Sequence, residues 1–341
     1  MRTLLVRKLG PVEEHPLELA EADPPAPVGD QLLIRVLACG VCRSNLHMIE
    51  GEWAARGVPA FLPITPGHEV VGRVVAVGER VDEISAGDRV GVGPIWSSCG
   101  RCDYCLTGRD QLCPSKMVTG ETIDGGYADY MLASQDHSYF VPENVGDVEA
   151  APLFCPGLTA FGALAKAKLS PGKKVAVFGI GGIGHIALQL ARLWGADVIA
   201  VSRSDAHAAL AEELGATEVI RVEEGRGTSV PGADMGVDAS LVFAPSETVT
   251  EQAVAMTKPG GVIVMGINAA VGMVPFFLEK TVVGSILGGR QQMQELLRLA
   301  ADGKVRVKCS AYALDEGNEA LLALKEGGVR GRAVLVPGVA S

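Results

Sequence analysis

The chain has 341 residues, of which 48% are apolar, 21% charged and only 5% aromatic, with 43 glycines. That length accommodates two domains, and a net charge of −10 argues against a nucleic-acid partner, which would favour a basic face. No apolar run approaches about 20 residues, so no membrane span is expected, and the N-terminal segment lacks an apolar stretch closed by a small-residue cleavage site, so no signal peptide is expected either.

Eight cysteines without an export signal point to a reducing, cytoplasmic compartment, where they read as metal ligands and free thiols rather than disulfides. Residues 1 to about 150 are dense in glycine, proline and short β-branched runs, such as Leu32–Val36, Val70–Val77 and Asp88–Val92. This half reads as β-rich, in the manner of a barrel. It carries Cys42, Ser44, Asn45 and His47 in one cluster and Gly67-His68-Glu69 in another. Next come Cys99, Cys102, Cys105 and Cys113, four cysteines within fifteen residues. Four thiolates satisfy one tetrahedral Zn²⁺ and leave no open position, which is a structural site; a disulfide within the lobe is the alternative. Cys155 follows, in Leu153-Phe154-Cys155-Pro156-Gly157. Two thiolates and an imidazole around a metal with one open position make a catalytic zinc arrangement, and Cys42, His68 and Cys155 can supply it. A buried cysteine that packs as a small hydrophobe is the alternative for Cys155.

After about residue 157 the pattern changes to apolar strands alternating with helices, the signature of βαβ units on a doubly wound parallel sheet. The expected strands are Lys174–Phe178, Asp197–Val201, Glu218–Val222, Val237–Val242 and Val262–Gly266, with helices over Ile183–Trp194 and Ala206–Leu214. The first strand runs into Gly179-Ile180-Gly181-Gly182-Ile183-Gly184. In that context the glycines permit a tight turn, close approach of backbone to a pyrophosphate, and close packing of helix on strand. At the end of the second strand Ser202 stands where an acid would hold a ribose 2′-hydroxyl, and Arg203 follows. A hydroxyl and a guanidinium suit a 2′-phosphate, which favours NADP(H) over NAD(H). Asp205 keeps NAD(H) open if the register differs; otherwise it reads as the N-cap of the next helix. A helix over Gln292–Ala301 and short strands end the chain.

Taken together, these motifs resemble the zinc-dependent medium-chain alcohol dehydrogenases, and the resemblance runs from Gly40–His47 to Gly331–Leu335. It implies an α/β protein: a GroES-like β-barrel catalytic domain over 1–156 and 287–341, with a four-cysteine zinc lobe at about 96–114, and a Rossmann domain over 157–286. It implies Cys42, His68 and Cys155 as catalytic zinc ligands, Glu69 as a carboxylate that approaches the metal, and Ser44 and His47 as a proton relay. Arg43 and Arg332 match cations near the pyrophosphate, Thr159 a residue against the nicotinamide, and Trp53, Ile95, Trp96 and Leu287 the pocket wall. The family usually has an acid where Asn45 sits, so a group that tunes the metal lacks its charge here.

The expected activity is reversible hydride transfer between a primary or secondary alcohol, medium-chain or aromatic, and a nicotinamide cofactor, with two Zn²⁺ per chain. The alternatives are a zinc-dependent polyol or amino-alcohol dehydrogenase of the same superfamily and, remotely, a non-enzymatic NADPH- or zinc-binding protein. The expected partner is a small alcohol or aldehyde, with no nucleic acid and no membrane. The short segment between Cys113 and Gly125 resembles that of tetrameric members; a homo-oligomer is expected, a tetramer ahead of a dimer.

Overall fold

The computed structural model describes residues 1–222 and 236–338. The chain forms two compact units. One comprises Met1–Cys155, Gly289–Ala301 and the chain from Val307 on; the other comprises Pro156–Gly288 and Asp302–Arg306.

The first unit begins with β1 (Arg2–Val6), β2 (Leu17–Glu21), β3 (Gln31–Gly40), α1 (Arg43–Ile49), β4 (Val70–Val77) and β5 (Arg89–Val92). It continues through β6 (Ile95–Ser97), α2 (Asp103–Leu106), β7 (Met117–Val118), β8 (Tyr130–Ser134), β9 (Ser138–Phe140) and α3 (Asp147–Ala150). The second unit holds α4 (Pro156–Lys166), β10 (Lys174–Phe178), α5 (Gly184–Leu193), β11 (Asp197–Ser202), α6 (Asp205–Glu213) and β12 (Glu218–Arg221). To these it adds β13 (Val237–Val242), α7 (Glu247–Met256), β14 (Thr257–Met265) and β15 (Thr281–Gly284). The chain then returns to the first unit as α8 (Arg290–Ala301), β16 (Cys309–Ala313), α9 (Gly317–Glu326) and β17 (Arg332–Val336).

In the first unit, a seven-stranded sheet runs β16-β17-β3-β4-β5-β9, with β8 also on β3. β3 alternates sides along ten residues, and its buried Leu32, Ile34 and Val36 join Leu4, Val70, Val74, Val90, Tyr127 and Leu335 in one core. The last strand thus closes onto β3 through Val334–Gly40 and Leu335–Cys39, which puts Arg332 near the start of α1.

In the second unit, six parallel strands lie in the order β12-β11-β10-β13-β14-β15. Numbered within the unit, that is 3-2-1-4-5-6, the dinucleotide-binding order whose switch point lies beside its first strand. The inner strands β10, β11 and β13 and the second half of β14 are buried apolar runs, as strands covered on both faces require, and Phe178, Ile199, Val201, Val242 and Ile263 lie in the core. The five expected strands are all present. β14 starts earlier than the expected Val262, at Thr257, because Val237 pairs with Thr257 before an irregularity restores the ladder at Ala239–Val262. Among the described residues no single helix is long and apolar enough to cross a membrane.

Candidate active site and cofactor turn

β3 ends at Gly40, and the chain turns at Cys42 to start α1. His68 and Glu69 lie in the last residues before β4, and Cys155 follows a short helical turn at Ala151–Phe154. Three separate stretches of sequence therefore bring Cys42, His68, Glu69 and Cys155 together, with one ligand atom from each within 4.8 Å of all the others. The Cys42 and Cys155 sulfurs are 3.8 Å apart. Two thiolates on one tetrahedral zinc, each at about 2.3 Å from the metal, stand about 3.8 Å apart. His68 and Glu69 are fully buried, yet His68 Nδ1 and Glu69 Oε2 have no partner among the described residues. Buried polar atoms are ordinarily satisfied, so the donor set fits a cation. Ser44 Oγ lies 3.3 Å from His68 Nε2.

The Cys42 thiol sits well below its ordinary range, because Cys155 hydrogen-bonds its sulfur and His68 and Arg332 add positive potential. The Cys155 thiol is pushed up by the same contact and by burial. Burial raises the Glu69 carboxyl to about 8 even though Arg332 opposes the shift. Arg332 is buried and its Nη2 donates to Glu69 Oε1, while its Nε has no partner among the described residues. This pair joins residues 263 positions apart, and no local pattern announces it. Asn45 is buried, and its Oδ1 accepts from the Tyr127 hydroxyl at 3.3 Å.

The other expected residues are placed as follows. His47 Nδ1 lies 2.9 Å from Glu52 Oε2, and its ring is 5.8 Å from that of Trp53. Arg43 is exposed and donates to the Leu324 carbonyl at 3.2 Å. Trp53 and Ile95 are half-buried. Trp96 is buried, and its indole N–H is held by the Leu132 carbonyl at 3.2 Å. Thr159 on α4 and Leu287 are buried, Leu287 with a left-handed φ of 48°.

The four-cysteine lobe is a second cluster, again with all ligand atoms within 4.8 Å. Cys99 lies 3.9 Å and Cys102 3.5 Å, sulfur to sulfur, from Cys105. All eight cysteines are free thiols, which sets aside the disulfide alternative. Backbone N–H groups of Arg101 and Cys102 draw the Cys99 thiol down to about 6, the thiolate form a metal takes.

β10 delivers the glycine turn to the N-terminus of α5. A Cβ at Gly184 would fall on the Gly179 carbonyl, so only glycine lets α5 approach the strand, whereas the space around a Cβ at Gly181 is open. That opening, with Gly182 and Ile183 completing the turn, is of the kind that admits a pyrophosphate at a helix N-terminus in dinucleotide-binding folds. Ser202 closes β11, and its Oγ lies 3.2 Å from both the backbone N and O of Ser204. Arg203 is exposed. The N-cap of α6 is Ser204, whose hydroxyl accepts from His207 N–H at 3.4 Å. Asp205, expected as that cap, instead lies in the first turn, 97% exposed and 3.5 Å from Arg221 Nε.

Residues 29–143 match the alcohol dehydrogenase GroES-like domain, and residues 182–302 match the zinc-binding dehydrogenase domain. An alcohol dehydrogenase of Geobacillus stearothermophilus is 41% identical over 325 residues, covering 94% of this chain and 95% of the relative. The chain belongs to the zinc-dependent medium-chain alcohol dehydrogenase family. Its class of activity is alcohol dehydrogenation. Among solved members, an NAD-dependent alcohol dehydrogenase superposes with a TM-score of 0.90 at 28% identity, covering 99% of this chain and all of that one. A putative zinc-binding dehydrogenase from Sinorhizobium meliloti 1021, bound to NADP, gives 0.84 at 29% identity over 98% and 99% of the two chains. Dehydrogenases of this shape thus occur with either nicotinamide cofactor.

Proposed function

We propose that Cys42, His68 and Cys155 hold a catalytic zinc, that Cys99, Cys102, Cys105 and Cys113 hold a structural one, and that the chain exchanges a hydride between an alcohol and NADP(H) in preference to NAD(H). The observation that carries this reading is the convergence of four ligand atoms, those of buried His68 and Glu69 and half-buried Cys42 and Cys155, within 4.8 Å of one another beside a serine hydroxyl. Zinc in such a site supplies Lewis acidity to the substrate oxygen. Ser44 Oγ, beside His68, takes the substrate proton, and His47, whose Nδ1 lies 2.9 Å from Glu52 Oε2, passes it outward. Glu69, held at Oε1 by Arg332, is the carboxylate that can approach the metal through its other oxygen.

Gly179, Gly181, Gly182, Ile183 and Gly184 seat the pyrophosphate, Arg43 and Arg332 are cations for the cofactor, and Thr159 packs on its nicotinamide. Ser202 and Arg203 favour a 2′-phosphate; the exposure of Asp205 away from the end of β11 supports that preference. Trp53 and Ile95, half-buried, suit an apolar wall for medium-chain or aromatic alcohols. A cytoplasmic homotetramer completes the reading.

The test is zinc per chain together with initial rates on benzyl alcohol and hexanol, with NADP⁺ and NAD⁺ in parallel. Two zincs and faster turnover with NADP⁺ are expected. Faster turnover with NAD⁺ would overturn the roles of Ser202 and Arg203. One zinc and no turnover would overturn the catalytic ligand set.

A further inference from the structure

Cys42 and His68 sit on separate stretches of chain, and one side chain with no role in the mechanism above touches both stretches. Asn45 lies one turn along α1 from Cys42, and its N–H donates to the Cys42 carbonyl at 3.0 Å. Tyr127 reaches across from the loop before β8, and its hydroxyl donates to Asn45 Oδ1 at 3.3 Å. Both side chains are completely buried. The Tyr127 backbone is tied to the other stretch: its N–H donates to Pro66 O at 2.9 Å, and Gly126 N–H donates to Gly67 O at 2.9 Å. The Tyr127 ring also packs on Gly67, the residue before His68. A Cβ at Gly67 would stand 2.4 Å from Tyr127 Cδ1 and 2.8 Å from the Cys39 sulfur, and its φ of 100° is one that side chains other than glycine rarely adopt. Gly67 is clamped between Tyr127 and the end of β3, which leads on to Cys42.

A phenylalanine would fill the same space, and a fully buried hydroxyl is unfavourable unless it is hydrogen-bonded. Asn45 is the partner that satisfies it. The dependence is mutual: Asn45 Nδ2 has no partner among the described residues, so the tyrosine supplies what holds the amide. A metal-binding imidazole ordinarily has its second nitrogen in a hydrogen bond that sets the orientation of the ring. His68 Nδ1 has none among the described residues. The aim of its ring is left to the backbone on which it stands, and Tyr127 holds that backbone.

We propose that Tyr127 is a positioning residue for the catalytic metal: its ring sets the Gly67–His68 segment, and its hydroxyl, through Asn45, sets the turn of α1 that Cys42 caps. This rests on the assignment of Cys42, His68 and Cys155 as ligands. Tyr127 takes no part in proton or hydride transfer. It keeps two ligands in register, so that the donor set is in place before the metal arrives.

Tyr127→Phe keeps the ring and removes the brace to Asn45. Zinc transfer from the zinc-loaded full chain to excess EDTA is expected to show two phases, and the phase absent from Cys42→Ala belongs to the catalytic site. In Tyr127→Phe that phase should run about tenfold to a hundredfold faster, the range for loss of a group that orients a metal ligand, with the phase of the four-cysteine lobe unchanged. Asn45→Ala should accelerate the same phase. The double variant should be no faster than the faster single variant, because each breaks the same contact. Parent rates in both phases, whatever the Tm, or equal acceleration of both phases would reduce the hydroxyl to a contribution to general stability and overturn the proposal. Additive accelerations in the double variant would overturn it as well. A parent chain that releases zinc only from the four-cysteine lobe would overturn the ligand assignment, and the proposal with it.

Discussion

Ser202 stands at the end of β11 with its hydroxyl turned onto the Ser204 backbone. A carboxylate there would accept from a ribose 2′-hydroxyl and repel a 2′-phosphate. Ser202→Asp is expected to shift the ratio of kcat/KM for NADP⁺ over that for NAD⁺ by at least about tenfold toward NAD⁺, one charge contact's worth; an unchanged ratio would detach Ser202 from the cofactor. Arg332 and Glu69 raise a different question at the same scale, since both are buried and each is the other's charge partner. Removing one half of a buried ion pair costs about 3–5 kcal/mol, because the other charge remains without its partner. Because the Glu69 carboxyl already stands at about 8 and takes up a proton once the guanidinium is gone, Arg332→Leu is expected to lower stability by less, about 1–3 kcal/mol, read from urea unfolding, and Glu69→Gln added to it should recover most of the loss. Additive losses in the double variant would mean that the two side chains do not act as a pair.

Among the elements, β10, β13 and β14 are locked at one end by Asp238. Its carboxylate accepts from Lys174 N–H at 2.9 Å and lies 2.9 Å from Lys173 Nζ and 2.5 Å from Lys258 Nζ. Burial opposes the charge, but Lys258, the Lys174 amide and Lys173 outweigh it and draw the carboxyl down to about 2, against about 3.9 in an unfolded chain. A depressed carboxyl stabilises the fold above its unfolded value, and that stability is lost as pH falls through its folded value. Asp238→Asn should thus cost about 1–2 kcal/mol at neutral pH, discounted for the half-exposed lysines. The gap in urea midpoint should hold from pH 7 to 5 and narrow from about pH 4 down to about pH 2. A gap independent of pH would remove the charge from the explanation. The strands themselves were legible because each is a β-branched run closed by turn residues, and α5 because its apolar positions recur at helical spacing. The start of β14 was not: Lys258-Pro259-Gly260-Gly261 reads as a turn, yet the ladder runs past it through a register irregularity. The cap of α6 was misjudged because Ser204 and Asp205 are both good caps, and only the backbone path decides between them. Cys42, His68 and Cys155 were visible by residue type, whereas Arg332 behind Glu69 and Tyr127 on Asn45 arise from β17 and β8-side loops folding back across β3, which no spacing encodes.

At the scale of the whole chain, the proposed zinc assignments divide stability from chemistry between the two cysteine clusters. The lobe between β6 and β7 contains only a four-residue helix and a three-residue helical turn. Its Tyr104, Leu106 and Leu112 are exposed. So small a segment has almost no core of its own, and in such cases metal binding supplies the folding free energy. The lobe is anchored by a polar network as well: Ser98 Oγ lies 3.2 Å from Asp110 Oδ1 and 3.1 Å from His137 Nε2, and Arg290 on α8 lies 3.6 Å from Asp110. Burial and Arg290 hold the His137 imidazole down at about 4, so it stays neutral and its Nε2 can accept from Arg290 Nη2 at 3.2 Å. Cys102→Ser opens the metal site and leaves that network to hold an unsupported loop. The expected outcome is one zinc per chain instead of two, and a Tm lower by several degrees, since about 1 kcal/mol corresponds to about 2–4 °C in a domain of this size. Alcohol turnover well below the new Tm should persist. Cys42→Ala should do the reverse, with one zinc per chain, a smaller change in Tm and turnover abolished, because its cluster sits on β3, β4 and α1, which have a core without it. Calorimetry and metal analysis on the two variants side by side separate the roles. If Cys102→Ser kept both zincs and the parent Tm, or if it abolished turnover at low temperature while Cys42→Ala did not, the division between a structural and a catalytic metal would be wrong.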